Sequence, residues 1–126
     1  MTSSELPAEL RRFILTSIPS VPYLEAVLLL RADPGQAWGA AQLARRLYVP
    51  EQRGAELVDL LRASGLATDS EPAGTIRYAP AGDLGGLVDS LAAAYAQDLV
   101  AITRLIHSRI DRRAQQFADA FRFRKE

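Results

Sequence analysis

Apolar positions near the start of the chain recur at helical spacing and are interrupted by proline. A first helix is predicted from about Pro7 to Ser17, and the stretch 18–20 ends it. Ser20 is a favourable N-cap for a second helix, with Pro22 in its first turn. The apolar residues of the second helix cover more than one face, which predicts the central helix of the core. The apolar face of the first helix comprises Leu6, Leu10, Phe13 and Ile14, and that of the second comprises Val21, Leu24, Val27, Leu28 and Leu30.

The segment from Gln36 to Pro80 has a different order of elements. Residues 37–47 predict a short helix, Tyr48-Val49 a turn, and Pro50 the start of another helix over residues 51–64. Gly65 suits the left-handed position that ends such a helix.

Two short strands are predicted after this helix pair. Residues 66–70 form the first strand, and residues 75–79 form the second, in which Thr75 to Tyr78 alternate polar and apolar side chains. Glu71-Pro72-Ala73-Gly74 has the composition of a hairpin tip. The predicted fold is therefore mainly α with a small β-hairpin wing.

The C-terminal third predicts one long helix after a linker over residues 80–86, with Asp83 as its cap. Apolar residues follow at spacings of three, four and seven, and Asp98 falls where another apolar residue is expected. Such a helix needs a second surface to cover it, and self-association is the simplest one. We therefore expect a domain over residues 1–80 and a helical dimerisation arm over residues 81–126. The expected dimerisation residues are Val88, Leu91, Tyr95, Ile102, Leu105, Phe117 and Phe121.

Composition narrows the class of protein. The 126 residues suffice for one domain, and the hydrophobic (48%) and charged (24%) fractions are those of a soluble globular protein. The absence of cysteine excludes disulfides and thiolate metal sites. No apolar run approaches the ~20 residues that span a bilayer, and no signal peptide is visible. We expect a cytoplasmic protein without a membrane span.

The net charge of the chain is zero, but basic and acidic residues are unevenly distributed along the sequence. The 15 basic and 15 acidic residues cancel, whereas residues 104–126 hold seven basic residues against three acidic ones. This basic tail fits three roles: packing of Phe117 and Phe121 on a partner subunit, contact with nucleic acid, or contact with an anionic membrane surface. The basic residues are Arg104, Arg109, Arg112, Arg113, Arg122, Arg124 and Lys125, and the acidic ones are Asp111, Asp119 and Glu126.

The helix over residues 51–64 carries the candidate contacts to DNA. Gln52 and Arg53 have side chains that pair with adenine and guanine, and Arg62 lies on the same expected outer face. Three acids against two arginines make this helix electrostatically poor for DNA. Its outer face is expected to hold Glu51, Gln52, Arg53, Glu56, Asp59 and Arg62, and its inner face Ala55, Val58 and Leu61. The expected contacts to the DNA backbone are Arg45, Arg46 and Arg77.

No catalytic, metal or cofactor constellation is recognisable, so an enzyme is not expected. His107 is the only histidine, and no nucleophile or orienting group accompanies it. The glycine-rich stretch 82–86 lacks the lysine and the spacing of a phosphate loop. Trp38 is expected to start a helix and to pack on the core or wing.

Residues 36–80 resemble the winged helix-turn-helix transcriptional regulators of the MarR and PadR type. The resemblance rests on Ala41-Gln42-Leu43-Ala44-Arg45-Arg46-Leu47, on Ala63-Ser64-Gly65-Leu66 and on Arg77-Tyr78-Ala79-Pro80. It implies a bacterial DNA-binding regulator that acts as a homodimer on double-stranded DNA, and the PadR type also implies a C-terminal dimerisation helix. The end of the chain, residues 117–125, resembles small uncharacterised bacterial winged-helix proteins. The alternative is a winged-helix module that binds a protein partner through its C-terminal helix without contacting DNA.

Overall fold

The computed structural model describes residues 6–108. This part of the chain is mainly helical, with a small two-stranded antiparallel sheet. In chain order its elements are α1 (Ala8–Ser17), α2 (Val21–Ala32), α3 (Ala40–Leu47), α4 (Glu51–Ala63), β1 (Ala67–Ser70), β2 (Thr75–Tyr78), α5 (Leu84–Gln97) and α6 (Leu99–Ser108).

The helix α2 is the central helix of the core, as its apolar pattern predicts. Ser20 caps it, because its Oγ accepts a hydrogen bond from the backbone N–H of Tyr23 at 3.3 Å. Helices α3, α4 and α5 and strand β2 all contact α2. Its buried residues are Tyr23, Leu24, Ala26, Val27 and Leu30.

The helices α3 and α4 cross closely. A Cβ at Gly54 of α4 would run into the carbonyl oxygen of Ala40 on α3, so only glycine allows this approach. The inner face of α4 holds Val58 and Leu61 as predicted, together with Gly54 and Leu57. The prediction for Ala55 is wrong: this residue is exposed, and the adjacent Gly54 takes the inner position.

A third extended segment, at Trp38, pairs with the hairpin. Strands β1 and β2 pair from Ala67 with Tyr78 to Ser70 with Thr75. Trp38 then pairs with Ile76 on the other edge of β2, with backbone hydrogen bonds of 2.8 and 3.0 Å in the two directions. The helix predicted from residue 37 therefore begins only at Ala40, because residue 38 is held in an extended conformation.

The long C-terminal helix is two helices within the described residues. It breaks at Asp98, whose backbone is non-helical and whose Oδ1 accepts a hydrogen bond from the N–H of Ala101 at 3.1 Å. Asp98 thus caps α6. Part of the predicted linker is also helical, because α5 already begins at Leu84; Asp83 occupies its N-cap position without a side-chain hydrogen bond.

Helices α5 and α6 share the core of the preceding elements. Val88, Leu91 and Ile102 are fully buried in it, so they form part of this chain's own interior. These three side chains are therefore not exposed in a single copy, and their predicted dimerisation role stays a prediction. Tyr95 and Leu105 are partly buried against the same core. Phe117 and Phe121 lie outside the described residues.

The described helices are short relative to the thickness of a membrane. Among residues 6–108, no single helix is both long and apolar enough to cross one. Helices α1 and α2 reach that length and composition only as a pair, and they meet at a bend of 113°.

Candidate nucleic-acid interface

The turn between α3 and α4 exposes an aromatic side chain. Tyr48 has φ 59° and ψ 44°, the left-handed conformation that non-glycine residues rarely adopt. Its side chain is 94% exposed. The N–H of Val49 then bonds the carbonyl of Ala44 at 3.0 Å, and extended Pro50 is the N-cap of α4. This local geometry sets the direction in which α4 leaves the turn.

The first turn of α4 places Gln52 and Arg53 in solvent, as predicted. Together with Pro50 and Glu56 they line a shallow depression with a volume of about 320 Å³. The Nη1 of Arg53 donates to Oε1 of Glu56 at 3.3 Å, and both side chains are more than half exposed. Exposed ion pairs contribute only ~0–1 kcal/mol, so the guanidinium of Arg53 can exchange this carboxylate for another acceptor.

Arg62, the third predicted groove contact, is placed differently. Its Nε donates to Oδ1 of Asp69 on β1 at 2.7 Å, and its Nη1 donates to Oδ1 of Asp59 at 3.3 Å. Two carboxylates therefore compete with any phosphate for this guanidinium. Arg62 connects the end of α4 to the hairpin, whereas Arg53 stands at the opposite end of the helix.

Three further arginines lie on the elements before and after α4 in the sequence. Arg45 and Arg46 are exposed on α3, and Arg77 is exposed on β2. Within residues 6–108 none of the three forms an ion pair. The guanidinium carbon of Arg46 lies 5.6 Å from the ring centroid of Trp38, which is a cation–π distance. Arg45 and Arg77 have solvated guanidinium groups that a phosphate can reach.

Acidic side chains offset these arginines. Residues 36–80 contain as many carboxylates as guanidinium groups, so this part of the chain has no excess of positive charge. The acids are Glu51, Glu56, Asp59, Asp69 and Glu71, and the bases are Arg45, Arg46, Arg53, Arg62 and Arg77. Non-specific attraction to a polyanion is therefore weak here, and recognition depends on local geometry.

The same residues offer little material for a metal site or for catalysis by histidine. Between Leu6 and Ser108 there is no group of three or more His, Asp or Glu side chains placed to hold a metal ion. His107 is exposed on α6. Trp38 is 2% exposed and packs at the hairpin, as expected, although it precedes the helix instead of starting it.

Sequence patterns did not reveal several features of this surface. The exposure of Tyr48, the contact at Gly54 and the pairing of Arg62 with Asp69 all depend on how elements cross in space. The glycine inside an otherwise helical segment was the one available signal, because such a glycine often marks a close approach.

Comparison with other proteins gives no assignment. No protein-family model, no curated protein and no solved structure matches this chain. The function is therefore inferred from the chain's own side chains.

Proposed function

We propose that this protein is a cytoplasmic DNA-binding regulator of the winged-helix type that acts as a homodimer. The observation that supports this proposal is the exposed face of α4. Its first turn offers Gln52 and Arg53 to solvent, and the flanking elements offer Arg45 and Arg77 without competing carboxylates in the described residues.

The proposed mode of recognition follows from the side chains. The N-terminal turn of α4 enters the major groove, where Gln52 pairs with adenine and Arg53 with guanine through two hydrogen bonds each. Arg45 on α3 and Arg77 on the hairpin contact phosphates and fix the register of the protein on the duplex. Arg53 leaves Glu56 when it reaches a base, at little cost because that pair is exposed.

The charge balance predicts a protein that discriminates between sequences more than it binds tightly. Each carboxylate near a phosphate opposes binding, so a single copy holds DNA weakly. A homodimer doubles the contacts and reads two half-sites about one helical turn apart. Tyr95 and Leu105, which are only partly buried, remain available for this association.

A second candidate function is a protein-interaction module on the same scaffold. The specific observation in its favour is that Glu51, Glu56 and Asp59 are exposed along α4 while Arg62 is held by two carboxylates. Such a face suits a basic partner surface better than a phosphate backbone.

Binding of the purified full chain to labelled genomic duplex fragments across a salt series distinguishes the two functions. With two phosphate contacts per copy, a dimer should give a slope of log K against log salt of about −4. Selective binding with a steep salt dependence supports the regulator. No binding at low salt rejects it in favour of the protein-interaction module, and a partner pull-down then follows.

The variant Arg53→Ala tests the role of α4. It should weaken the preference between fragments more than the total affinity, because one base contact contributes ~1–3 kcal/mol of discrimination. Arg12→Ala, which removes an exposed arginine on α1, is the matched control. Unchanged sequence preference in a competition assay with Arg53→Ala would remove this residue from the interface.

A further inference from the structure

A shallow apolar groove lies where α2, α3 and α5 meet. Leu28 and Leu29 of α2, Leu47 of α3 and Tyr95 of α5 line it, and its volume is about 390 Å³. Burial raises the pKa of the Tyr95 hydroxyl, and the nearby Glu25 carboxylate adds to the rise. The three leucine side chains make the groove apolar, and its volume is large enough to receive an aromatic side chain.

Tyr48 lies at the edge of this groove and projects into solvent. Its left-handed backbone is strained relative to glycine, and Tyr48 is 94% exposed. The same chain uses glycine at other left-handed positions, Gly65 and Gly74. A large aromatic side chain that strains the backbone and contacts little of its own chain points to a contact outside a single copy.

The groove carries one charge of each sign. Glu25 on α2 and Arg46 on α3 both line it. Neither forms an ion pair within the described part of the chain. A two-fold interface brings each residue of one copy against a different residue of the other, and the reverse pair forms by symmetry. One acid and one base on the same face can therefore form two symmetry-related ion pairs in such a dimer.

From these three observations we propose that the groove and Tyr48 form the face through which two copies associate. The Tyr48 side chain of each copy enters the groove of the other, and Glu25 of one copy pairs with Arg46 of the second copy. This interface takes the place of the predicted helix stripe, of which Val88, Leu91 and Ile102 are buried in the core. It rests on the homodimer of the proposed function, but not on DNA binding.

Sedimentation velocity of the full chain over a range of concentrations tests the interface. The wild type should pass from monomer to dimer. The variant Tyr48→Gly should weaken the dimer by about thirtyfold, the effect of removing an aromatic hot spot. Because glycine relieves the left-handed backbone, this variant should unfold at the same or a higher temperature, which separates loss of the interface from loss of the fold.

Charge reversal supplies a sharper test. Glu25→Arg and Arg46→Glu should each weaken the dimer, since each places like charges together twice. The double variant should restore it, because the reversed pair is again complementary. Glu9→Arg, at an exposed position on α1, is the control and should leave the dimer unchanged.

Several outcomes would overturn the proposal. A wild type that stays monomeric at all concentrations, a dimer that survives Tyr48→Gly, or a double variant that fails to restore the dimer each contradicts it. A monomeric wild type that loses DNA affinity on Tyr48→Gly would assign the face to the DNA backbone instead. A monomer that binds anilinonaphthalene sulfonate, with binding abolished by Leu29→Asp, would make the groove a small-molecule site.

The same measurements keep this inference separate from the proposed function. A wild type that dimerises through this face but binds no DNA rejects the DNA-binding role and supports the interface. A wild type that binds DNA selectively but never dimerises rejects the interface and supports DNA recognition by a single copy.

Discussion

The hydroxyl of Tyr23 on α2 donates a hydrogen bond to Oγ of Ser64, 2.8 Å away at the end of α4. The direction follows from Ser64, whose own proton is donated to the carbonyl of Leu61 at 3.1 Å. Tyr23 is 2% exposed whereas Ser64 is exposed, so this part-buried bond joins the central helix α2 to the end of α4 at the edge of the core.

Removing this hydroxyl should destabilise the protein, whereas removing another buried hydroxyl should not. We expect Tyr23→Phe to lower the free energy of unfolding by about 1 kcal/mol, because it deletes a part-buried hydrogen bond. Tyr78→Phe should change it by less than about 0.5 kcal/mol, since the buried Tyr78 hydroxyl has no hydrogen-bond partner among residues 6–108. Urea unfolding measures both, and equal effects would contradict the distinction.

Tyr23 should also make stability fall at alkaline pH. Burial raises the pKa of its hydroxyl above 10.0, and the hydrogen bond with Ser64 opposes this rise. A folded pKa above the unfolded one means that the contribution is complete below about pH 10 and is lost as pH rises through the folded pKa. Tyr23→Phe should therefore flatten the dependence of the urea midpoint on pH above 10. An unchanged slope would show that Tyr23 does not contribute.

The crossing of α3 and α4 predicts opposite effects at two helical glycines. Gly54→Ala should lower the free energy of unfolding by about 1–3 kcal/mol, since its methyl group collides with the backbone of Ala40. Gly86→Ala in α5 has nothing within 4 Å and should raise it by up to about 1 kcal/mol through helix propensity. Thermal unfolding measures both. A Gly54→Ala variant as stable as the wild type would refute the close approach.

The break between α5 and α6 should depend on the side chain of Asp98. We expect Asp98→Ala to lower the free energy of unfolding by about 1 kcal/mol, because the N–H of Ala101 loses its capping acceptor. Asp98→Asn keeps an acceptor oxygen and should lose little. Chemical denaturation compares them, and equal losses in both variants would argue against a capping role.

Removing a negative charge beside Arg62 should strengthen binding to DNA. Asp69→Asn removes a negative charge near the proposed interface and leaves the Nε of Arg62 only a weaker, neutral acceptor, so affinity for duplex DNA should increase at low salt. Arg62→Ala should reduce affinity less than Arg53→Ala. Fluorescence anisotropy with one labelled duplex measures all three variants, and an Asp69→Asn variant that binds more weakly would contradict this assignment.

Local signals predicted the parts of the fold that depend on neighbouring residues. The cap at Ser20, the end of α4 before Gly65 and the hairpin with Gly74 at its tip were all correct, because a few adjacent residues determine them. The apolar pattern likewise identified α2 as the core helix.

Contacts between distant residues determined the parts that were wrong. Residues 37–39 have the composition of a helix, but pairing with Ile76 holds Trp38 extended. Periodicity identified the apolar face of α5 and α6 but not what covers it, and Val88 and Ile102 are covered by the chain itself. For the candidate site, exposure of Gln52 and Arg53 was predictable from helix geometry, whereas the pairing of Arg62 with Asp69 required knowledge of where β1 lies.

The position of Trp38 gives the protein an intrinsic optical reporter. It is the only tryptophan in the chain; its indole is buried with the guanidinium of Arg46 over the ring, and its backbone is paired with β2. Emission from this indole shifts to longer wavelength when water reaches the ring. Detachment of the hairpin from the segment at Trp38 can therefore be followed by fluorescence in the unlabelled protein, separately from the loss of helix seen by circular dichroism.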